Sequence, residues 1–333
     1  MNSIERALRT ICAGAVVLPM VAVSQDAIAA GNAPYGAVGA GVARIDYPEN
    51  GFFADRGEAP PFTRNFNLDT DKGDAYGAAL EGTFGVFLPN TIANADAARL
   101  EIQGFLINAD RTTHRSFSDT GAGMRFGWVL LDNSTGFGSP DAATLTTRIK
   151  QDIDYWGADV MFLLDYGVGP NTSWSFQVGP SFKRLDQDTD ATGDISTTVS
   201  LEDRLSTDFR GARMGGRYNR DLNNLWSVSM DASVSKYWTK VDYQGSYVDS
   251  SPNAQTASLS DSDDALGLDL RLEVSRKISK GMKLSAFGRV NYLSDVPQVS
   301  YGSVPTDPSN GVLSLTSDHM TALVIGVQLS GSF

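Results

Sequence analysis

The chain carries two histidines, His114 and His319, and each has a neighbour that could couple to it. His319 follows Asp318 in "SDHM", an Asp–His couple of the kind that orients an imidazole to take a proton from water. "SDSDD" adds Asp261, Asp263 and Asp264, carboxylates that could complete a hydrolytic site if the fold set them beside His319. "HRSF" places His114 two residues from Ser116, a base and a nucleophile with no third partner and no phospholipase motif around them. The plain alternative in both cases is a solvated side chain in a polar loop. The acidic run "DQDTDATGD" (Asp186, Asp188, Asp190, Asp194) invites calcium. An EF-hand loop needs Gly at its sixth position and Glu at its twelfth, and here these are Ala191 and Thr197. That leaves loose divalent-cation binding or a solvated loop. No cofactor, metal site or catalytic residue is expected, and the chain reads as a non-enzyme.

A second set of charged residues recurs at alternate positions: Glu81, Arg99, Glu101, Asp159, Lys183, Arg213, Arg217, Asp231, Asp269, Arg271, Glu273, Lys283 and Arg289. Successive side chains of a strand point to opposite faces, so these residues share faces opposite apolar ones. In "ALGLDLRLEVS", Leu266, Leu268, Leu270, Leu272 and Val274 oppose Gly267, Asp269, Arg271, Glu273 and Ser275. "LWSVSMDASVS" repeats the pattern. The tail "TALVIGVQLSGSF" sets Phe333, Gly331, Leu329, Val327, Ile325 and Leu323 on one face, and only Val324 breaks the alternation on the other.

Such strands suit a soluble sandwich, with apolar faces on a shared core, or a membrane barrel, with apolar faces on lipid. Three features favour the barrel. The segments exceed the usual sandwich strand of about 5–6 residues and suit a tilted span of about 9–11. Trp226 and Trp238 share a face, about 30 Å apart along a membrane normal, and Trp156 and Tyr166 are about 25 Å apart by the same arithmetic. With Trp174 and Tyr292 they make two aromatic girdles. Finally, short links ("GVGPN", "RDLNN", "SKG") alternate with long ones at 186–204, 241–263 and 294–318.

The expected fold is therefore all-β, a transmembrane antiparallel up-and-down barrel. Ten strands are placed near 35–46, 73–88, 97–107, 151–166, 172–184, 205–219, 224–240, 264–277, 281–293 and 319–333. "GAGMRFGWVLLD" and "AATLTTRIK" would raise the count to twelve if both were strands; otherwise 108–150 is one external loop. A closed barrel pairs every backbone group and leaves no edge, which gives stability without disulfides.

Residues 1–29 read as a cleaved secretory signal, with Arg6 and Arg9, an apolar run from Ile11 to Val23, and Ala27 and Ala29 before the cut; 30–333 form the barrel domain. Cys12 is the sole cysteine and leaves with the signal. The formal charge of −12 argues against nucleic-acid binding. Lys236, just before Trp238 on the lipid face, is expected to snorkel to a lipid phosphate.

The final strand, closing on Phe333 with apolar residues at alternate positions before it, resembles the C-terminal assembly signal of Gram-negative outer-membrane proteins. That resemblance implies the cell outer membrane as location. It implies outer-membrane lipids, lipopolysaccharide and the barrel-assembly machinery as partners. The rhythm of "DYWGADVMFLLDYG" through "SAFGRVNY", with the G-x-R-x-G turn of "GARMGG" (Gly211, Arg213, Gly215), resembles the pore-forming proteins related to the Legionella major outer-membrane protein. That family implies a porin-like role, a passive path for small solutes or ions. The lumenal charges are then either ion pairs that plug and stiffen the barrel, or a narrow pore whose Arg213, Arg217, Arg271 and Arg289 set selectivity. A closed structural or ligand-binding barrel with acidic external loops is the alternative. A rim-active hydrolase is third: omptin-type barrel proteases also have ten strands and an Asp–His couple, but no omptin motif accompanies Asp318 and His319.

Overall fold

The computed structural model describes residues 33–46, 53–57, 74–89, 94–118, 123–127, 136–139, 144–194, 198–248, 255–300 and 313–333. The signal segment 1–29 lies outside them. No helix is long and apolar enough to cross a membrane, which says nothing of a β-barrel. The described elements are all strands: β1 (Tyr35–Asp46), β2 (Phe53–Gly57), β3 (Ala75–Leu88), β4 (Ala97–Ser118), β5 (Gly123–Gly127), β6 (Gly136–Ser139), β7 (Thr144–Gly169), β8 (Thr172–Asp194), β9 (Thr198–Asp221), β10 (Trp226–Val248), β11 (Gln255–Asp261), β12 (Asp264–Ser279), β13 (Met282–Ser300) and β14 (Ser314–Ser332).

Ten of them close a ring in the order β1-β3-β4-β7-β8-β9-β10-β12-β13-β14, every pair antiparallel, with β14 returning to β1 through Tyr35↔Ser332. β11 is an eleventh strand of this sheet, laid along the upper part of β10 above the point where β12 begins. The barrel therefore has the expected ten strands. The twelve-strand alternative does not form. Residues 123–127 pair instead with β2 and β6 in a separate three-stranded sheet, and "TLTTRIK" is the upper end of β7. Two-residue and four-residue links join β7 to β8, β9 to β10 and β12 to β13 at one end. In the tightest, Gly281 takes φ +84°, a conformation L side chains rarely adopt.

The external links are shorter than the sequence suggests because the strands run on past the membrane span. β7, β8, β9 and β10 have 26, 23, 24 and 23 residues, against 12 in β1. The acidic stretch 186–194 is thus strand and not loop: it is hydrogen-bonded between β7 and β9, with Asp152↔Asp188 and Asp188↔Arg204 in register. The "GARMGG" segment is likewise mid-strand and not a turn. Its glycines lie flat against β10, where a Cβ on Gly211 would sit 1.9 Å from the Lys236 carbonyl oxygen.

The outer surface is an apolar belt on all ten ring strands, including Val38, Phe84, Ile102, Val160, Phe176, Met214, Val234, Leu268, Leu284 and Val327. Water would not leave such a surface bare; apolar patches of this extent mark a membrane or partner surface. The girdle residues Trp156, Tyr166, Trp174, Trp226, Trp238 and Tyr292 all stand on this outward face. Trp174 packs on Tyr218 near the turn end, and Trp156 on Phe182 near the other. Lys236 also faces outward, but its ammonium is held by Asp264 at 2.7 Å, a cross-strand neighbour of Trp238; this ion pair takes the place of the expected free snorkelling amine.

Candidate functional site

The thirteen charged residues read from the alternation all face the lumen, and most of them meet in one network. Arg213, on β9, is 4% exposed and lies 2.5 Å from Asp159 of β7, 3.6 Å from Asp231 of β10 and 3.9 Å from Asp269 of β12. Arg217, two inward positions on, reaches Glu101 of β4 at 2.9 Å and Asp231 at 3.0 Å. Arg99 clamps Asp165 through two nitrogens at 2.6 and 2.7 Å, and also reaches Glu101. Arg289 holds Asp269 at 2.5 Å, and Arg271 bridges Glu81 of β3 and Glu273 of its own strand. Some pairs join neighbouring strands, while Arg217–Glu101 and Arg271–Glu81 reach across the ring from β9 to β4 and from β12 to β3. Each carboxylate has an arginine partner, as buried charge requires if it is not to cost several kcal/mol.

Toward the turn end this network lines a cavity of about 420 Å³, open near Tyr35, Gly281 and Ser332, with Lys283 in its wall. Toward the other end the lining changes. Lys183, 2% exposed, has its ammonium 5.3 Å from the Tyr237 ring centroid and 6.0 Å from those of Phe105 and Tyr155. A cation over ring faces is attracted by their quadrupoles. Arg289 covers the Phe105 ring at 4.7 Å, and the Tyr155 hydroxyl donates to Asn291, whose amide donates to Asp269 at 2.7 Å.

Above this aromatic layer the lumen is filled with apolar side chains. Ile45, Ile153, Leu185, Phe209, Leu293, Val296 and Met320 are wholly buried, together with Tyr155 and Tyr237. Sequence reasoning did not find this plug. Its one visible signal was Val324, the residue that breaks the alternation of the last strand: it is 5% exposed and packs inward with Ala322 and Met320.

The hydrolytic candidates are not brought together. His319 bonds Asp318 at 2.8 Å, but both are about half exposed, and the imidazole stacks on the outward-facing Tyr292. Asp264 is taken by Lys236, and the Asp263 carbonyl accepts from the Thr239 hydroxyl. His114 is exposed near the top of β4. Among the described residues no group of His, Cys, Asp and Glu has the arrangement of a metal site.

Above the membrane span, Asp203 of β9 faces inward between Thr189 of β8 and Gly245 of β10. It accepts a hydrogen bond from the Tyr243 hydroxyl at 2.7 Å. Burial pushes its carboxyl up to about 7 against the opposing pull of that hydrogen bond, and Tyr243 is pushed up as well.

Fold and lining together define a transmembrane β-barrel of ten strands with a filled lumen. Solved structures of similar shape include the outer membrane protease OmpT from Escherichia coli (10% identity, 90% of this chain and 97% of that chain, TM-score 0.46). Others are the toluene transporter TodX of Pseudomonas putida (10% identity, 93% and 94%, TM-score 0.32) and a major outer membrane protein from Thermus thermophilus (11% identity, 88% and 99%, TM-score 0.33). No family model matches the chain, and no curated protein does. These are likenesses of shape alone, to barrels whose activities differ from one another.

Proposed function

We propose that this protein is a non-enzymatic barrel of the Gram-negative outer membrane that holds its lumen shut and works through its external wall. The observation that carries this reading is the pair of layers across the lumen: an ion-pair network, then an apolar layer with eleven described side chains at zero exposure. A filled interior is what a barrel near the small end of the size range accommodates. Residues such as Arg213 act here as struts, each joining strands that are not neighbours. The belt faces lipid, its upper rim meets lipopolysaccharide, and the terminal strand ending at Phe333 is the segment offered to the barrel-assembly machinery.

The second reading is a gated pore of the porin-like kind, favoured by the cavity of about 420 Å³ that enters from the turn end. Passage of a solute would then require Phe105, Tyr155 and Tyr237 to swing aside. Single-channel recording of the refolded protein in a planar bilayer separates the two. A correctly folded, silent barrel supports the closed reading. Discrete steps that change ion selectivity on Arg271→Ala support the pore.

A further inference from the structure

We propose that the periplasmic mouth of the lumen is a binding site for a small multivalent oxyanion. Its anchor is a pair of lysines, Lys277 of β12 and Lys283 of β13. They stand directly opposite each other in register, on the lumenal face, in the wall of the same cavity. Like charges directly opposite across two strands repel. Every other cation of the lumenal network described above is relieved by a carboxylate or lies over aromatic rings. Arg271 and Arg289 are also directly opposed, and both are neutralised, by Glu81 and Glu273 and by Asp269. Lys277 and Lys283 have no ion pair and no hydrogen bond to any described residue.

The surroundings suit an anion. Ser330 lies opposite Lys283 on β14, and Ser279 and Ser332 line the same mouth with hydroxyls free to turn as donors. Arg271 stands deeper in the same wall. The mouth is at the end of the short links, where the chain's Ser332 amide bonds the Gly281 carbonyl at 3.1 Å, so the ligand enters from the periplasm. Two flexible ammonium groups and hydroxyls select charge more than shape, which suits phosphate and carboxylate oxygens alike. The site goes beyond the closed-lumen reading and does not depend on it, because the mouth is open below the plug in either case.

The test is calorimetric titration of the refolded protein in detergent with pyrophosphate, citrate and chloride, on the parent chain and on K277Q, K283Q and the double variant. Heat-modifiable gel migration confirms that each variant is folded. The expected result is saturable binding of a multivalent anion, weakened about fivefold at low salt by each lysine removed and lost in the double variant. Preference for pyrophosphate names phosphate chemistry, and preference for citrate names carboxylate chemistry. The double variant should also melt higher than the parent in anion-free buffer, because the repulsion is gone. Absence of binding to the parent chain, or binding that survives in the double variant, overturns the proposal.

Discussion

Phe105 of β4 and Tyr155 of β7 meet edge on, ring centroids 4.9 Å apart, at the level where the lumen changes from charged to apolar. Below them the inward side chains are chiefly charged, and most of those charges are paired. Above them the filling is chiefly apolar until Asp203 and Tyr243 are reached. The contact is a boundary between two ways of filling a tube, and it is the place where a path would have to be opened.

Removing both rings should open it. The double variant Phe105→Ala, Tyr155→Ala leaves a gap in the layer and takes the aromatic faces from Lys183. Each truncation is expected to cost about 3–5 kcal/mol, and a barrel of this kind should still refold. In a planar bilayer the parent is expected to stay silent and the variant to conduct. A silent variant would mean that the apolar layer above suffices as a seal.

Arg213→Ala should destabilise far more than a surface change. It leaves Asp159 without its arginine and takes one of two from Asp231 and Asp269, which keep Arg217 and Arg289. Loss of one partner of a buried pair costs about 3–5 kcal/mol. Urea unfolding of the refolded barrel should show the drop, and Asp159→Asn should show a smaller one because Asp231 and Asp269 still hold the guanidinium.

Asp203 gives the upper wall of the barrel a pH dependence of unusual sign. Its carboxyl is raised to about 7 in the fold, so between the ordinary carboxylate range near 4 and 7 the folded form holds a proton that the unfolded form has released. Stability in that window falls as pH rises, by at most about 1.4 kcal/mol per pH unit, and above 7 the full penalty is present. Protection factors along β9, β10 and β11, with the intrinsic pH dependence of amide exchange divided out, should therefore be higher near pH 5 than near pH 8. Asp203→Asn should flatten the difference.

Val234 is 53% exposed on the outward face between Trp226 and Trp238. If the belt lies in hydrocarbon, Val234→Arg costs about 2–4 kcal/mol in a lipid bilayer. The same substitution should be nearly neutral in a water-facing strand, so unfolding titrations in lipid vesicles decide whether this face meets lipid.

Strand positions and faces were legible because period-two alternation survives wherever one face is apolar and the other polar. That holds for Leu266 to Ser275 and for the thirteen lumenal charges. It fails where both faces change character. Above Trp156 and Trp238 the outward face becomes charged, as at Arg184, Asp186 and Asp208, and the inward face becomes apolar, as at Leu185 and Phe209. A pattern that reverses along one strand reads as its end, which is why 186–204 and 241–263 looked like loops. The ion-pair partners were not legible: which carboxylate meets Arg213 depends on the stagger of strands around a closed ring, and no local spacing encodes it.

The unequal strand lengths have one more consequence. From Trp238 to Val248, β10 rises about 25 Å beyond the girdle, while β1, across the barrel, stops after 12 residues in all. A tube cut on such a slant has a bearing, like a compass needle lying in the plane of the bilayer. Two copies side by side present high flank to high flank, or high to low, according to how each is turned, so lateral crowding of this protein is a matter of heading as well as distance.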